Sequence, residues 1–141
     1  MENKDKGLIG NENIEDAIVR VQKKPSVETL AHALTMFRKR MNEKGQFVIA
    51  LRPGTDMNNM QVQLTKDDDG RTWWMAFTGF DEELRGGEQV MSTFLVDIRQ
   101  LFLAALASEE IDGIIINPWN KTMRLDKNNI RIILGQQGRR E

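Results

Sequence analysis

The chain contains no cysteine and only one histidine, His32, among its 141 residues. Without cysteine it can form no disulfide, thiol nucleophile, cysteine-ligated zinc site or iron–sulfur cluster. His32 falls off the apolar stripe of the helix predicted around it, a position typical of a surface histidine. Because one histidine without cysteine is a poor basis for zinc binding, we predict no metal and no cofactor.

Long apolar runs and a strong charge of one sign are also missing. No stretch approaches the ~20 apolar residues that cross a bilayer, and the first residues lack the apolar core of an export signal. The net charge of -1 argues against a protein that binds nucleic acid through bulk positive charge. We therefore expect a cytoplasmic protein with no membrane and no nucleic-acid partner.

The residues form no coherent catalytic set. None of the three serines lies in a Gly-x-Ser-x-Gly turn, and no glycine-rich phosphate-binding loop is present. The acidic run at 67–69 before Gly70 suggests calcium, but Thr65 and Ala76 occupy the first and last ligand positions of an EF-hand loop. We interpret this run as a solvated hairpin turn, because Asp-Gly sequences tolerate the positive φ of tight turns.

Two amphipathic helices are predicted near the start of the chain. The first runs from 13 to 24, with Asn13 as its N-cap, and Pro25 ends it. The second follows Ser26 as N-cap and is closed by Gly45. Its predicted buried stripe consists of Val27, Leu30, Ala31, Leu34, Phe37 and Met41.

The strands are predicted from apolar runs and alternation. Unbroken apolar runs at 46–51 and 111–116 indicate strands buried on both faces, which we expect to lie side by side. Residues 60–65 and 71–78 form a hairpin, and a further strand is predicted at 89–94. Asp97 and Asp126 each begin a helix, with a short strand around Met123 and Leu125 before the last one, and a helical turn is predicted at 81–84.

This order of elements predicts an α+β fold. Its mixed, mainly antiparallel sheet of about five strands is covered by the N-terminal helix pair, a central helix and a C-terminal helix. We expect one domain over residues 13–135, between a flexible tail at 1–12 and a second tail at 136–141.

Several motifs in order resemble a known family. Leu-Arg-Pro ends the first strand at 51–53, Phe77-Thr78 precedes an acidic segment, and Asp-Gly with three isoleucines leads into Asn117-Pro118. In this order they resemble the N-terminal domain of the enhanced serine sensitivity protein SseB, over residues 13–135. The resemblance implies a bacterial α+β domain with no established catalytic residues. Gly79 stands where the family often has serine, and the family's second domain has no counterpart in this sequence.

The aromatic residues supply the candidate contacts. Trp73 and Trp74 are adjacent on a strand and face opposite sides of the sheet, where we expect both to be covered. Trp119 follows Pro118 in a turn and either staples that turn to the body or anchors a partner. With two polar residues, they make up the candidate partner- or ligand-binding set: Trp74, Thr78, Asn117, Pro118 and Trp119.

Two functions are consistent with these features. The preferred hypothesis is a non-catalytic protein-interaction or scaffold module that binds a protein partner or itself through the turn at 117–120 and the exposed face of the hairpin. The alternative is a small-molecule sensor or enzyme, with a pocket between the sheet and the N-terminal helices lined by Thr78 and Asn117.

Overall fold

The computed structural model describes residues 6–51, 61–81 and 93–135 of the chain. A short 3-10 turn at Lys6–Leu8 precedes the helices α1 (Glu12–Lys23), α2 (Val27–Asn42), α3 (Ile98–Ala107) and α4 (Lys127–Leu134). The strands are β1 (Gln46–Ala50), β2 (Leu64–Lys66), β3 (Thr72–Phe77), β4 (Thr93–Asp97), β5 (Gly113–Ile116) and β6 (Met123–Asp126). The predicted α+β class is confirmed.

The six strands form one mixed sheet in the order β4-β1-β3-β5-β6, with β2 paired to β3. Only the β3–β5 pair is parallel among the paired strands described. The prediction that the runs at 46–51 and 111–116 lie side by side is wrong, because β3 lies between them. An unbroken apolar run indicates burial on both faces but not which strand is the neighbour.

The larger core lies between one face of the sheet and all four described helices. Phe37, Phe47 and Phe102 meet there with ring centroids 6.1–6.4 Å apart. Each is fully buried, and burial of one such side chain contributes roughly 1.5–3 kcal/mol. On the other face of the sheet, the second face, Val48 and Phe77 belong to a smaller buried cluster. Both faces of β1 are therefore covered, as its unbroken apolar run indicates.

Three predicted helix caps are confirmed. The Ser26 hydroxyl accepts the Thr29 N–H of α2 at 3.0 Å, and Asp97 accepts a main-chain N–H in the first turn of α3. Asp126 accepts the Asn129 N–H of α4 at 2.8 Å. Ser, Thr, Asp and Asn at this position satisfy a main-chain donor that the helix itself leaves unpaired.

The first helix starts earlier than predicted. Its N-cap position is Asn11, not Asn13, and within the tail predicted at 1–12, Lys6–Leu8 form a 3-10 turn and Glu12 begins α1. Asn11 is buried, and its side chain donates to Gln46 O at 2.8 Å. This segment is held by contacts with residues distant in the chain, which no local pattern reveals.

The buried face of α2 is displaced from the predicted stripe. Val27, Leu30 and Ala31 are exposed, whereas Ala33 and Arg40 are buried. Arg40 can be buried because it donates to Asn11 Oδ1 and to Gly7 O, at 2.8 and 2.7 Å, and pairs with Glu43. A helical period of 3.6 residues leaves room for two neighbouring stripes, and in α2 the stripe that includes Ala33 and Arg40 is the buried one.

The end of α2 also differs from the prediction. Lys44, not Gly45, adopts the positive φ, at 64°. Gly45 is required for a different reason, because a Cβ there would lie 2.8 Å from Arg40 O and 2.6 Å from its guanidinium. The glycine at position 45 is therefore required at the end of α2, but because Arg40 approaches it closely and not because of a positive φ.

Two strands end later in the chain than predicted. β2 covers Leu64–Lys66, while Val62 makes only an isolated bridge with Leu51. β4 covers Thr93–Asp97, pairs with β1 and ends where Asp97 caps α3, so it extends beyond the end predicted at 94, and residues 89–92 of that prediction lie outside the described part. The residues at 82–92 lie outside the described part, as does the predicted tail at 136–141 and nearly all of the helical turn predicted at 81–84.

Candidate functional site

Thr78 and Asn117 meet at the ends of β3 and β5. The Thr78 N–H donates to Asn117 Oδ1 at 2.9 Å, and Asn117 Nδ2 donates to Thr78 Oγ1 at 3.0 Å. The Thr78 hydroxyl donates to Glu15 Oε2 at 2.5 Å. Both residues are buried. Their polar groups bind each other and α1, so this pair ties α1 to the sheet.

The turn after Asn117 places an aromatic ring on the second face of the sheet. Asn117 has φ 50°, a left-handed conformation that asparagine adopts more readily than most residues. Trp119 then stacks on Phe77, with ring centroids 5.5 Å apart and planes 24° apart. It nevertheless stays 46% exposed. Trp119 therefore staples the turn to the sheet and also presents a fixed aromatic surface.

The two adjacent tryptophans lie on opposite faces of the sheet and are both buried, as expected from the sequence. Trp74 lies in the helix-side core, and its Nε1 has no hydrogen-bond partner among the residues described. Trp73 lies on the second face and donates its Nε1 to Asp67. Of the five candidate residues, Pro118 and Trp119 alone reach the surface.

A cleft of about 680 Å³ runs from Trp119 around the outer side of β6, and we call it the Trp119 groove. Residues on both faces of the sheet line this groove. The lining residues on the second face include Ile115, Pro118, Trp119 and Arg124, and those at or near the helix side of β6 include Val21, Gln22, Leu30, Thr122 and Met123.

Two groove residues, Arg124 and Gln22, are not among the candidates predicted from the sequence. Arg124 is exposed between the buried Met123 and Leu125, so the alternation in β6 was a usable signal for its orientation. No signal in the sequence could connect Gln22, on α1, with Thr122, which follows 100 positions later.

Asp67 holds one end of the groove rigid. Its Oδ1 accepts the main-chain N–H groups of Asp69 and Arg71, each at 2.9 Å. Its Oδ2 accepts Trp73 Nε1 at 2.9 Å and an Arg124 guanidinium nitrogen at 3.1 Å. These hydrogen bonds, the Trp73 contact first, lower the pKa of Asp67 below its ordinary value of 3.8, and the positive charge of Arg124 adds to the effect.

The guanidinium of Arg124 is fixed a second time by an aromatic ring. Its Cζ lies 5.7 Å from the ring centroid of Trp73, which is a cation–π distance. The groove therefore carries a cation whose position is set before any ligand arrives.

The described residues show no assembled catalytic or metal site. They contain no group of three or more metal-ligating side chains. Ser26 uses its hydroxyl as a helix cap, and His32 is half-buried on the same helix. Among the described residues, no helix is long and apolar enough to cross a membrane.

Compared with protein-family models, curated proteins and solved structures, the chain gives no match. The resemblance to the SseB N-terminal domain therefore stays a prediction carried by the ordered motifs.

Proposed function

We propose that the chain is a non-catalytic protein-interaction module that holds a partner in the Trp119 groove. The observation that carries this proposal is a half-exposed Trp119 held by stacking on Phe77, in the same groove as an arginine held by Asp67 and Trp73. Tryptophan and arginine are the residues most enriched at interface hot spots. Because these contacts already restrain both side chains, binding costs less side-chain entropy than it would for unrestrained ones.

The burial and hydrogen bonding of Thr78 and Asn117 favour this function over a ligand pocket beneath the N-terminal helices. Their side chains already bind each other and Glu15, and they are 2% and 0% exposed. We further propose that the chain is an SseB-like domain that acts in the cytoplasm without a nucleic-acid partner, on the basis of its ordered motifs and near-neutral charge.

A small-molecule ligand is the second candidate, because the groove volume of about 680 Å³ falls in the range of small-molecule sites. A metabolite panel tested by thermal shift separates the two functions. A ligand at about 100 times its Kd would stabilise the fold by ~2.7 kcal/mol, whereas a module that binds only proteins shows no shift with any metabolite.

The direct test replaces Trp119 by alanine. We expect Trp119→Ala to weaken binding of the natural partner about 30-fold or more, the loss typical of a hot-spot tryptophan. Partners are captured from a bacterial lysate with the wild-type chain, then purified and titrated, and self-association is measured by sedimentation.

The matched control is Leu103→Ala, because Leu103 on α3 is 44% exposed and does not line the groove. Unfolding midpoints of both variants confirm that each is folded at the assay temperature. Equal affinities of wild type, Trp119→Ala and Leu103→Ala for every partner, with unchanged self-association, would refute the proposal.

A further inference from the structure

The outer side of β6 is a sheet edge that the protein covers only in part. Among the described residues, β6 pairs with β5 alone and is the last strand on its side of the sheet. Gln22 Nε2 donates to Thr122 O at 3.1 Å, just before β6 begins. The Asp126 N–H donates to Asn129 Oδ1 at 3.2 Å, at its end. Side chains of the chain itself thus bind main-chain groups at both ends of this strand.

The direction of the main-chain groups of Arg124 follows from these contacts. Main-chain groups of every second residue in a strand point to the same side. Thr122 and Asp126 point theirs away from β5, so Arg124, midway between them, does the same. Its N–H and C=O have no hydrogen-bond partner among the described residues.

The register of β5 leads to the same assignment. The Asn117 N–H donates to Ala76 O on β3, so the odd-numbered residues of β5 turn toward β3. Ile114 and Ile116 then turn toward β6, where their register partners are Leu125 and Met123. The hydrogen bonds between β5 and β6 are therefore made by the pairs Ile114–Leu125 and Ile116–Met123. The main-chain groups of Arg124 consequently face outward.

The Trp119 groove follows this edge and has two differently lined sides. Val21 and Leu30 lie on its helix side, whereas Trp119 and the Arg124 side chain lie on the second face. Successive side chains of a strand point to opposite faces of a sheet. A strand added beside β6 would therefore place its residues alternately against these two linings.

The charges along the groove indicate what the added strand carries. Its charged lining residues are Lys66, Asp67 and Arg124. Asp67 already accepts hydrogen bonds from Trp73 and Arg124, and Lys66 has no ion-pair partner in the described part of the chain. The groove is thus net positive, and an acidic residue directly opposite Arg124 forms a favourable cross-strand pair.

We propose that β6 accepts an extended segment of a partner protein as an additional strand, paired through the main chain of Arg124. The segment has an acidic residue opposite Arg124 and apolar neighbours that enter the side lined by Val21 and Leu30. This inference rests on the proposed function and names the chemistry of the partner at the same groove. Strand addition to an exposed edge is an established mode of peptide recognition.

The test compares Arg124→Pro with Arg124→Ala. Proline removes the outward N–H without removing a bond of the β5–β6 ladder, as it does in other edge strands, while alanine removes the same side chain and keeps that N–H. The probes are linear peptides selected from a randomised display library on the full chain. We expect the selected peptides to share an acidic residue between apolar ones, and to bind Arg124→Pro at least tenfold more weakly than Arg124→Ala.

A second measurement does not depend on the folding of the proline variant. In the wild-type chain, hydrogen exchange of the Arg124 amide, followed by NMR, should slow at least tenfold when a selected peptide is bound. Unchanged exchange at Arg124, equal peptide affinities of the two variants, or a library that yields no binder would each overturn the inference. A homodimer that Arg124→Pro abolishes, in a chain that binds no peptide, would show that the added strand comes from a second copy of this chain. That result would overturn the proposal of a segment from a different protein.

The outcomes for the two proposals are separable. If Trp119→Ala abolishes peptide binding while both Arg124 measurements are negative, the interaction module stands and strand addition fails. If Arg124 is protected by the peptide but Trp119→Ala binds every partner as wild type does, the proposed role of Trp119 fails instead.

Discussion

At the residue scale, Gly113 shows how one position is determined by its neighbours in space. A Cβ at Gly113 would lie 2.1 Å from Leu125 O on β6 and 2.8 Å from Cζ3 of Trp73. The absent side chain leaves room for the indole on which the Arg124 guanidinium lies. The end of the groove opposite Trp119 therefore depends on the absence of a side chain at position 113.

We expect Gly113→Ala to lower the free energy of unfolding by about 2 kcal/mol or more, because the clash involves main chain that cannot move freely. Urea unfolding measures the change. Gly79→Ala is the control, since nothing lies within 4 Å of a Cβ there, and we expect it to change stability by less than about 0.5 kcal/mol. Equal effects of the two substitutions would contradict the packing argument.

At the scale of elements, the β2–β3 hairpin depends on the charge of Asp67. Its carboxylate accepts two main-chain N–H groups of the turn and also the indole N–H of Trp73 on β3. The pKa of Asp67 is lowered in the folded chain, so the ionised form is favoured by folding. This contribution is present above the ordinary value of 3.8 and is lost as the pH falls through the lower pKa of the folded state.

Asp67→Asn is expected to flatten the acid dependence of stability. Above about pH 5 the variant should be less stable than the wild type, because the amide donates where the carboxylate accepts, and the gap should narrow as the pH falls below 3.8. Urea unfolding at a series of pH values measures this, with the exposed Asp68→Asn as control. A gap that stays constant or widens toward acid would contradict the assignment.

At the scale of the whole molecule, one buried polar cluster connects parts of the chain that are distant in sequence. Asn11 donates to Gln46 O on β1 and to Thr78 O after β3, and it accepts from Arg40 of α2. Arg40 also holds the Gly7 carbonyl. The segment before α1 therefore completes the hydrogen bonding of a buried guanidinium.

Asn11→Ala should lower the free energy of unfolding by about 2–4 kcal/mol, because it removes three hydrogen bonds and leaves Arg40 partly unsatisfied. Asn13→Ala is the matched control, two positions along, where the side chain is exposed and has no hydrogen bond to any described residue. We expect no loss from the control, since alanine is the better helix former. Similar losses in both would show that the cluster contributes little.

Most of the fold could be predicted because its signals are local. Ser26, Asp97 and Asp126 were identified as caps from the residues beside them, and the hairpin turn from its Asp-Gly pair. The candidate site could be predicted only in part. The place of Trp119 after a proline in a turn marks it as a candidate contact, but its stacking on Phe77 joins residues more than forty positions apart.

The sequence by itself determined which segments are helices and strands, which strands are buried on both faces, and that the chain folds into an α+β domain. These features depend on periodicity, capping and turn chemistry, which act over a few residues. Only the tertiary structure decided that β3 separates the two apolar strands, that Arg124 meets Asp67, and that β6 lies at an edge. Each of these is a contact between distant segments, and a local pattern states that a surface is buried without stating what buries it.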